Sequence, residues 1–566
     1  MTSPAESSQQ PLLPIDVYLE ILKFLPASKD DSTSIKTLAS CLQANSSVRA
    51  AALSPLAWEH HYRIYYTHCV QANEAERKER TACDWRLMFA ERRRLDRRAL
   101  KLADEIRLHP PAERHEKARE IAKMSYDVWD VLRMEENLRD PLYFKSAGDS
   151  DAEEHCQDEI VDVLPRKFWA KAILGIIARR ESIPIWRRIF DPPPDARPVS
   201  FVETLSTLSS GFDVSIAEIN MELEAVYRKW LQFQRVLNQF PHAVLQIPEY
   251  RQTIPMSLVF LFVAMAQRMG IDASPVNWPG VVKAHVTSPD PLEPDFIVDV
   301  TADSESRICT PIEVLLQGGA GPENVSPASS RAMLTRVFAN VTAFSRFVHM
   351  LSTGYGRAYE VLEATYYVIE LCNALRLEHG AAVPSPPDFK PLDLVVVLAD
   401  GIGPMLFPTR RESLAEYVDN TLRENQRVIR REDGVDVTGF VGMVFKHKRY
   451  GYTGCIYSWD PTCMAGDTWM EEMGVDELPS GRNQPFYQVL ATDGRTFYAS
   501  QDNIDPIFAT QEIVRSLFDS RTSFGRYFTG VDVDSQRYRV RLTVSQELKW
   551  KYPDDEDYGR IWVHGQ

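Results

Sequence analysis

Apolar positions near the start of the chain recur at helical intervals. In "PLLPIDVYLEILKFLP", Tyr18, Leu22 and Leu25 fall four and three apart, with Leu19 and Ile21 beside them. Pro14 stands near the beginning and Pro26 at the stop, so the spacing predicts a short amphipathic helix. Ile35, Leu38, Cys41 and Leu42 predict a second helix, and Asn45, Ser46 and Ser47 supply turn or cap chemistry before Val48. "LSPLAWEHHYRIYY" then lays Trp58, Tyr62 and Tyr65 along one stripe of a third. Helices this short bury little surface among themselves, which leaves two readings: an apolar face open to a partner, or the leading edge of a larger helical domain.

The helical period continues from Glu74 to about Phe190. In "WRLMFAERRRLDRRALKLADEI", Trp85, Met88, Phe89, Leu95 and Leu100 oppose Arg92, Arg93, Arg94, Arg97 and Arg98. Glu91, Asp96 and Asp104 dilute that basic face, which reads as solvated helix surface rather than a nucleic-acid patch. "SAGDSDAEEHCQDE" is an acidic loop, and "RIFDPPPDARP" and "VPSPPDFKP" are proline-rich breaks. Between them lie "FVETLSTLSSGF", "IAEINMELEAVYRKWLQFQ", "VTAFSRFVHM" and "EVLEATYYVIELCNALRL", all of helical pattern. "TIPMSLVFLFVAMAQRMG" reads as a buried helix entered at Pro255 and Ser257, followed by a turn and two strands, "VVKAHV" and "DFIVDV".

Beyond Pro391 the period shifts toward two. "VTGFVGMVFKHKRYGYTGCIYSWDPTC", "QPFYQVLATDGRTFYA" and "QRYRVRLTV" alternate as strands, with Tyr538, Val540, Leu542 and Val544 opposed to Arg537, Arg539 and Arg541. "TDGR" at 492–495 marks a hairpin turn. A small β-barrel or curled sheet is the expected C-terminal unit.

Composition narrows the function classes. The 566 residues exceed a single core, and a net charge of -15 works against non-specific attraction to phosphate backbones or anionic lipid. Eight scattered cysteines, without CxxC pairs or a histidine cluster at zinc spacing, imply reduced thiols and no metal. The amino-terminal residues lack a secretory pattern, and the longest apolar run, Ile254 to Ala266, is short of the roughly 17 residues that cross a membrane. The expectation is a soluble protein of the cytoplasm or nucleus.

Three stretches resemble known families. Leu13-Pro14, Asp16, "EILKFLP" and "LSPLAW" resemble an F-box. That resemblance implies docking on the Skp adaptor of a cullin-based ubiquitin ligase through Leu13, Pro14, Ile15, Leu19, Leu22 and Leu25. From roughly Phe201 to Leu377 the chain resembles the SirB-type branch of the transglutaminase-like fold, carried by Arg268 to Gly270 at the helix end, the turn Asn277-Trp278-Pro279-Gly280, and Ile297 to Asp299. The first motif is one residue shorter than in the family.

Active members of that superfamily hold a Cys at the helix start, a His on the first strand and an Asp on the second. The helix end and imidazole maintain a thiolate, and the carboxylate orients the imidazole. Here the matching positions are Ser257, Val281 and Asp299, a degenerate triad. His285, four residues beyond Val281, lies on the same strand face about 13 Å away. A displaced triad of Ser257, His285 and Asp299 competes with a reading in which Ser257 caps the helix and Asp299 ends a strand; the expected outcome is an inactive scaffold.

"VGMVFKHKRYGYTGCIYSWDPTC" resembles the YccV or HspQ-like domain, through Gly442, Phe445, His447, Tyr450, Gly451, Gly454, Trp459 and Asp460, with "QPFYQVL" and "ASQDNIDPI" matching later elements. "WMEEMGVDELPSGRNQPFY" resembles the insertion of its eukaryotic F-box versions. The domain family is described as binding hemimethylated DNA. From Phe440 to Ile507, however, five Lys or Arg face nine Asp or Glu, which favours a protein ligand. "KHKRYGY" is the one basic, aromatic exception, and a solvated hairpin tip accounts for it equally well.

The whole order resembles the F-box only protein 21-like family, in a fungal-type member. It implies a multidomain α+β chain: tail 1–10, F-box 11–66, α-helical linker region 67–195, mostly helical transglutaminase-like domain 196–385, connector 386–435, YccV-like domain 436–550 and tail 551–566. The implied role is a non-enzymatic, cofactor-free substrate-recognition subunit that joins the Skp adaptor and, through it, a cullin to an unknown protein target. A DNA-binding protein and a hydrolase using Ser257 and His285 are the alternatives.

Overall fold

The computed structural model describes residues 13–29, 33–139, 162–190, 255–300, 308–316, 321–333, 335–337, 339, 392, 394–431, 436–520 and 524–565. The acidic loop, both proline-rich breaks beyond Phe190, the helical patterns quoted between them, the first ten residues, Cys156 and Cys372 lie outside the described residues. The six described cysteines are all free thiols.

Four helices, rather than three, open the chain: α1 (Ile15–Lys23), α2 (Thr33–Cys41), α3 (Ser46–Leu53) and α4 (Leu56–Tyr65). The extra one arises because the Asn45 side chain accepts from the backbone N–H groups of Ser47 and Val48, starting α3, while Ser54 in extended conformation ends it. Leu22, Leu38, Ala51, Trp58, Tyr62 and Tyr65 form their core together with Met88 and Phe89. The last two come from α6 (Trp85–Leu108), which follows α5 (Gln71–Arg80). The small bundle is therefore completed by a helix of the next unit.

The helical body contains α6, α7 (Pro111–Met124), α8 (Trp129–Glu136) and α9 (Val163–Phe190). Its core joins Leu102, Ile121, Trp129, Trp169 and Ile173 to Leu394, Val396, Leu398 and Leu414. Residues 386–435, expected as a connector, thus contain a π-helical segment, Leu394–Ile402, and a long helix, Pro408–Gln426, that fill this core. The continuous run "LVVVL" is buried from all sides, as its lack of polar positions requires. The basic face of α6 is also not wholly solvated: Arg92 is fully buried, donates to the carbonyl of His68 at 2.9 Å, and sits 4.4 Å over the Tyr66 ring.

Next come α10 (Pro255–Arg268), the strands β1 (Ala273–Val276), β2 (Lys283–Val286), β3 (Phe296–Val298) and β4 (Ile308–Cys309), and α11 (Pro311–Leu316). The sheet is an antiparallel meander in the order β1-β2-β3-β4. Val259, Phe260 and Val263 of α10 pack against Ala273, Ala284 and Val286. The helix Pro408–Gln426, α12, follows.

The C-terminal unit is strand-rich: β5 (Val444–His447), β6 (Thr453–Asp460), α13 (Asp467–Met473), β7 (Phe486–Ala491), β8 (Thr496–Ser500), β9 (Ile504–Pro506), α14 (Gln511–Ser520), α15 (Phe524–Tyr527), β10 (Phe528–Asp534), β11 (Arg539–Val544), α16 (Gln546–Lys551) and α17 (Pro553–His564). The sheet order is β8-β7-β6-β5-β9, and the β10-β11 ribbon joins it at the Met443–Arg541 bridge. Gly442 stands beside that bridge at φ +97°, where a Cβ would lie 2.4 Å from the carbonyl oxygen of Leu542. The "TDGR" turn links β7 to β8, with Gly494 at φ +79°.

Two expectations are corrected here. Val540, Leu542 and Val544 are buried as the alternation requires, but Arg541 on the opposite face is buried too, donating to Asp532 at 2.9 Å and to the Glu556 carbonyl at 3.0 Å. Residues 551–566 are not a tail: α17 covers that face. Its buried Asp555 accepts from Arg431, Val441 N–H and the Trp459 indole. A charged strand residue inside a core needs partners, and Glu556 of α17 supplies them to Arg541.

Candidate functional site

The first helix presents two faces. Leu22 is 6% exposed and sits in the bundle core, and Leu19 and Leu25 are half-buried against it. Leu13, Ile15, Val17 and Ile21 are exposed, and Phe24 is 86% exposed. Of the six positions expected to dock an adaptor, Leu22 is consumed internally, because burying the stripe at 18, 22 and 25 is what holds α1 to α3 and α4. Leu13, Pro14 and Ile15 remain outside, and Val17, Ile21 and Phe24, which the expectation omitted, extend the open apolar surface. Val17, Ile21 and Phe24 fall four and three apart, on one exposed face of α1.

A buried polar cluster ties these helices to the helical body. The Asp130 carboxylate accepts from Lys29 Nζ at 2.7 Å, Thr67 Oγ1 at 2.7 Å and His68 N–H at 3.0 Å. Burial opposes its ionisation, yet the bonds from His68 and Lys29 hold it well below the ordinary carboxylate range. Asp127 accepts from Val70 N–H at 3.1 Å, Asn73 at 2.9 Å and Arg77 at 3.2 Å. Both acids are buried, so the segment 127–130 is tied at several points to α5 and to the links that follow α1 and α4. Sequence reasoning missed this pair, although two acids amid Val128, Trp129, Val131 and Leu132 are themselves a signal of paired, buried carboxylates.

In the middle unit Asp299 and His285 each meet a different partner. Ser257 is the third residue of α10, inside its first turn rather than at the cap, because Pro255 already opens the helix. Val281 precedes β2. Asp299, just past β3, meets Lys283 at 3.5 Å. His285 is buried and meets Asp295 at 3.2 Å through Nε2, not Asp299. The carboxylate that orients an imidazole in active relatives of the fold is thus engaged by a lysine, whose Nζ also lies 5.6 Å from the Trp278 ring centroid. Arg336 fixes the Asn277-Trp278 turn, donating to Asn277 Oδ1 at 2.8 Å and the Trp278 carbonyl at 2.7 Å.

The C-terminal motif residues divide by role. Phe445 and Trp459 are core residues. His447 is buried, its pKa lowered first by desolvation and then by Arg449; its Nδ1 accepts from the N–H groups of Arg449 and Tyr450, closing the hairpin. Its ring lies between Tyr450 and Tyr452, at 4.9 and 4.8 Å. Asp460 accepts from the Tyr498 hydroxyl at 2.8 Å. Tyr450 alone of the five is largely exposed. In "KHKRYGY", Lys448 donates to the Asp502 carbonyl at 2.8 Å, so much of the segment serves its own turn. Among the described residues no three His, Cys, Asp or Glu side chains are grouped to hold a metal, and no helix is long and apolar enough to cross a membrane.

Comparison with known proteins matches these units. Residues 227–339 match the Transglutaminase-like superfamily, and residues 439–535 match the family described as Hemimethylated DNA-binding protein YccV like. F-box only protein 21 of Mus musculus is 27% identical over 358 residues, covering 58% of this chain and 53% of the relative. The Homo sapiens protein of that name is 27% identical over 359 residues, with the same coverages, and that of Pongo abelii is 27% identical over 357 residues. The chain is a homologue of F-box only protein 21. It spans about half the length of the curated relatives it matches. No solved structure matches.

Proposed function

We propose that this chain is a substrate-recruiting subunit of a Skp–cullin–F-box ubiquitin ligase, acting in the cytoplasm or nucleus. The apolar surface of Leu13, Ile15, Val17, Ile21 and Phe24, left open by a bundle whose own core is complete, carries the reading. The homology to F-box only protein 21 supports it. The Asp127 and Asp130 cluster fixes that surface on the body that leads to the downstream units, so a bound target is held at a set distance from the transfer machinery; proximity supplies the rate.

In this reading the transglutaminase-like unit is a scaffold without turnover. The Lys283–Asp299 pair supports that assignment, as does the His285 contact with Asp295. The test is co-purification with the Skp adaptor of the full chain and of Ile21→Asp/Phe24→Asp. Loss of the adaptor with an unchanged melting temperature is expected; full retention overturns the docking face.

A further inference from the structure

A cavity of about 600 Å³ lies where the helical body meets the C-terminal sheet. One wall is a single stripe of α12: Tyr417, Asn420, Thr421, Glu424 and Asn425. These positions recur at three and four, the spacing of one helix face, and Thr421 and Asn425 continue the stripe of buried Leu414 and Val418, so the face turns from apolar to polar along the helix. Facing it are Ser458 and Asp460 of β6 and Gln488 of β7; Trp550 and the Tyr457–Tyr527 pair, ring centroids 5.0 Å apart, close the end.

The lining chemistry selects among ligands. Glu424, Asp460 and Glu547 are matched by Arg427, Arg526 and Lys551, so the cleft has no net charge to draw a phosphate chain. Thr421, Asn425 and Gln488 have no side-chain hydrogen-bond partner among the described residues. Amide side chains both donate and accept, which suits the alternating N–H and C=O groups of a peptide backbone. The stripe from Tyr417 to Asn425 runs about 12 Å along the helix, the length of about four extended residues. A helical ligand about 10 Å across and that long needs more volume than the cleft offers. Half-exposed Trp550 and the tyrosine pair are the residue types that anchor a peptide side chain.

We infer that this cleft binds an extended, uncharged polar peptide segment of another protein. The assignment rests on the adaptor reading only in naming that protein as the ligase's target.

The full chain is panned against a phage-displayed random 12-residue peptide library, and recovered sequences are synthesised with a fluorophore and titrated by anisotropy. Asn425→Ala/Gln488→Ala and, separately, Trp550→Ala are expected to weaken binding at least tenfold with melting temperatures unchanged. Ile21→Asp/Phe24→Asp is expected to bind peptide as wild type does. No enrichment, enrichment of strongly charged peptides alone, displacement by a DNA duplex, or both cleft variants within twofold of wild type overturns the inference. Peptide binding that responds to the cleft variants, in a chain that fails to hold the Skp adaptor, upholds the cleft and removes the ligase assignment.

Discussion

Asp96 shows how a single buried carboxyl sets a pH response. Desolvation raises its pKa to about 6, against the Tyr66 hydroxyl bond and the nearby Arg93 and Arg92 charges, from an ordinary value of 3.8. A carboxyl raised in the folded state contributes stability that is complete below 3.8 and is lost as pH rises through about 6. Asp96→Asn keeps an oxygen for Tyr66 without the charge. It is expected to stabilise the chain by about 1–3 kcal/mol at pH 7 and to flatten the decline between pH 4 and 6, as read by denaturant melts across pH. Glu547 has the opposite sign: burial opposes its ionisation, but Arg526 and Arg114 draw it down to about 2, so its contribution holds above 4.5 and is lost as pH falls toward 2. Neither response was legible in the sequence, since Arg114 and Glu547 are 433 positions apart. Val281 in place of histidine was legible, because a missing imidazole is a matter of residue identity alone.

At the level of elements, the 3.6 period located α1, α2, α4 and α6 but not which apolar residues each helix keeps for itself. Leu22 and Phe24 look equivalent in "EILKFLP", yet their positions two apart place them on different sides of the helix. Leu22→Ala is expected to cost about 2–5 kcal/mol and Phe24→Ala within about 0.5 kcal/mol in the same unfolding titration. The run "LVVVLADGIG" carries no periodicity to set it apart within the expected 386–435 connector, although a continuous apolar stretch is the pattern of a segment buried all round. Strand alternation placed Val540, Leu542 and Val544 correctly; the burial of Arg541 on the other face followed from α17, whose Glu556 pairs with it across the fold. Deleting residues 553–566 strips Asp555 from Arg431 and Trp459 and uncovers Phe440. Loss of cooperative unfolding in the C-terminal unit, followed by near-ultraviolet circular dichroism, is the expected result.

On the scale of the molecule, the units are joined rather than strung. Gly525 of α15 packs so closely on α9 that a Cβ there would stand 2.4 Å from the Leu164 carbonyl, Arg119 meets Asp400 at 2.6 Å, and Arg114 meets Glu547 at 2.7 Å. Domain order could be read from local motifs, whereas these joints depend on residues far apart in sequence. The shared core of the helical body has a temporal consequence. Its first half ends near Ile177 and its second begins at Leu392, so a ribosome must add roughly two hundred residues, at about 5–20 per second, before the halves can meet. For on the order of ten seconds or more, each newborn chain carries four helices whose shared core still lacks Leu394, Val396, Leu398 and Leu414. A growing polypeptide of this design is a client for chaperones before it is a partner for anything else.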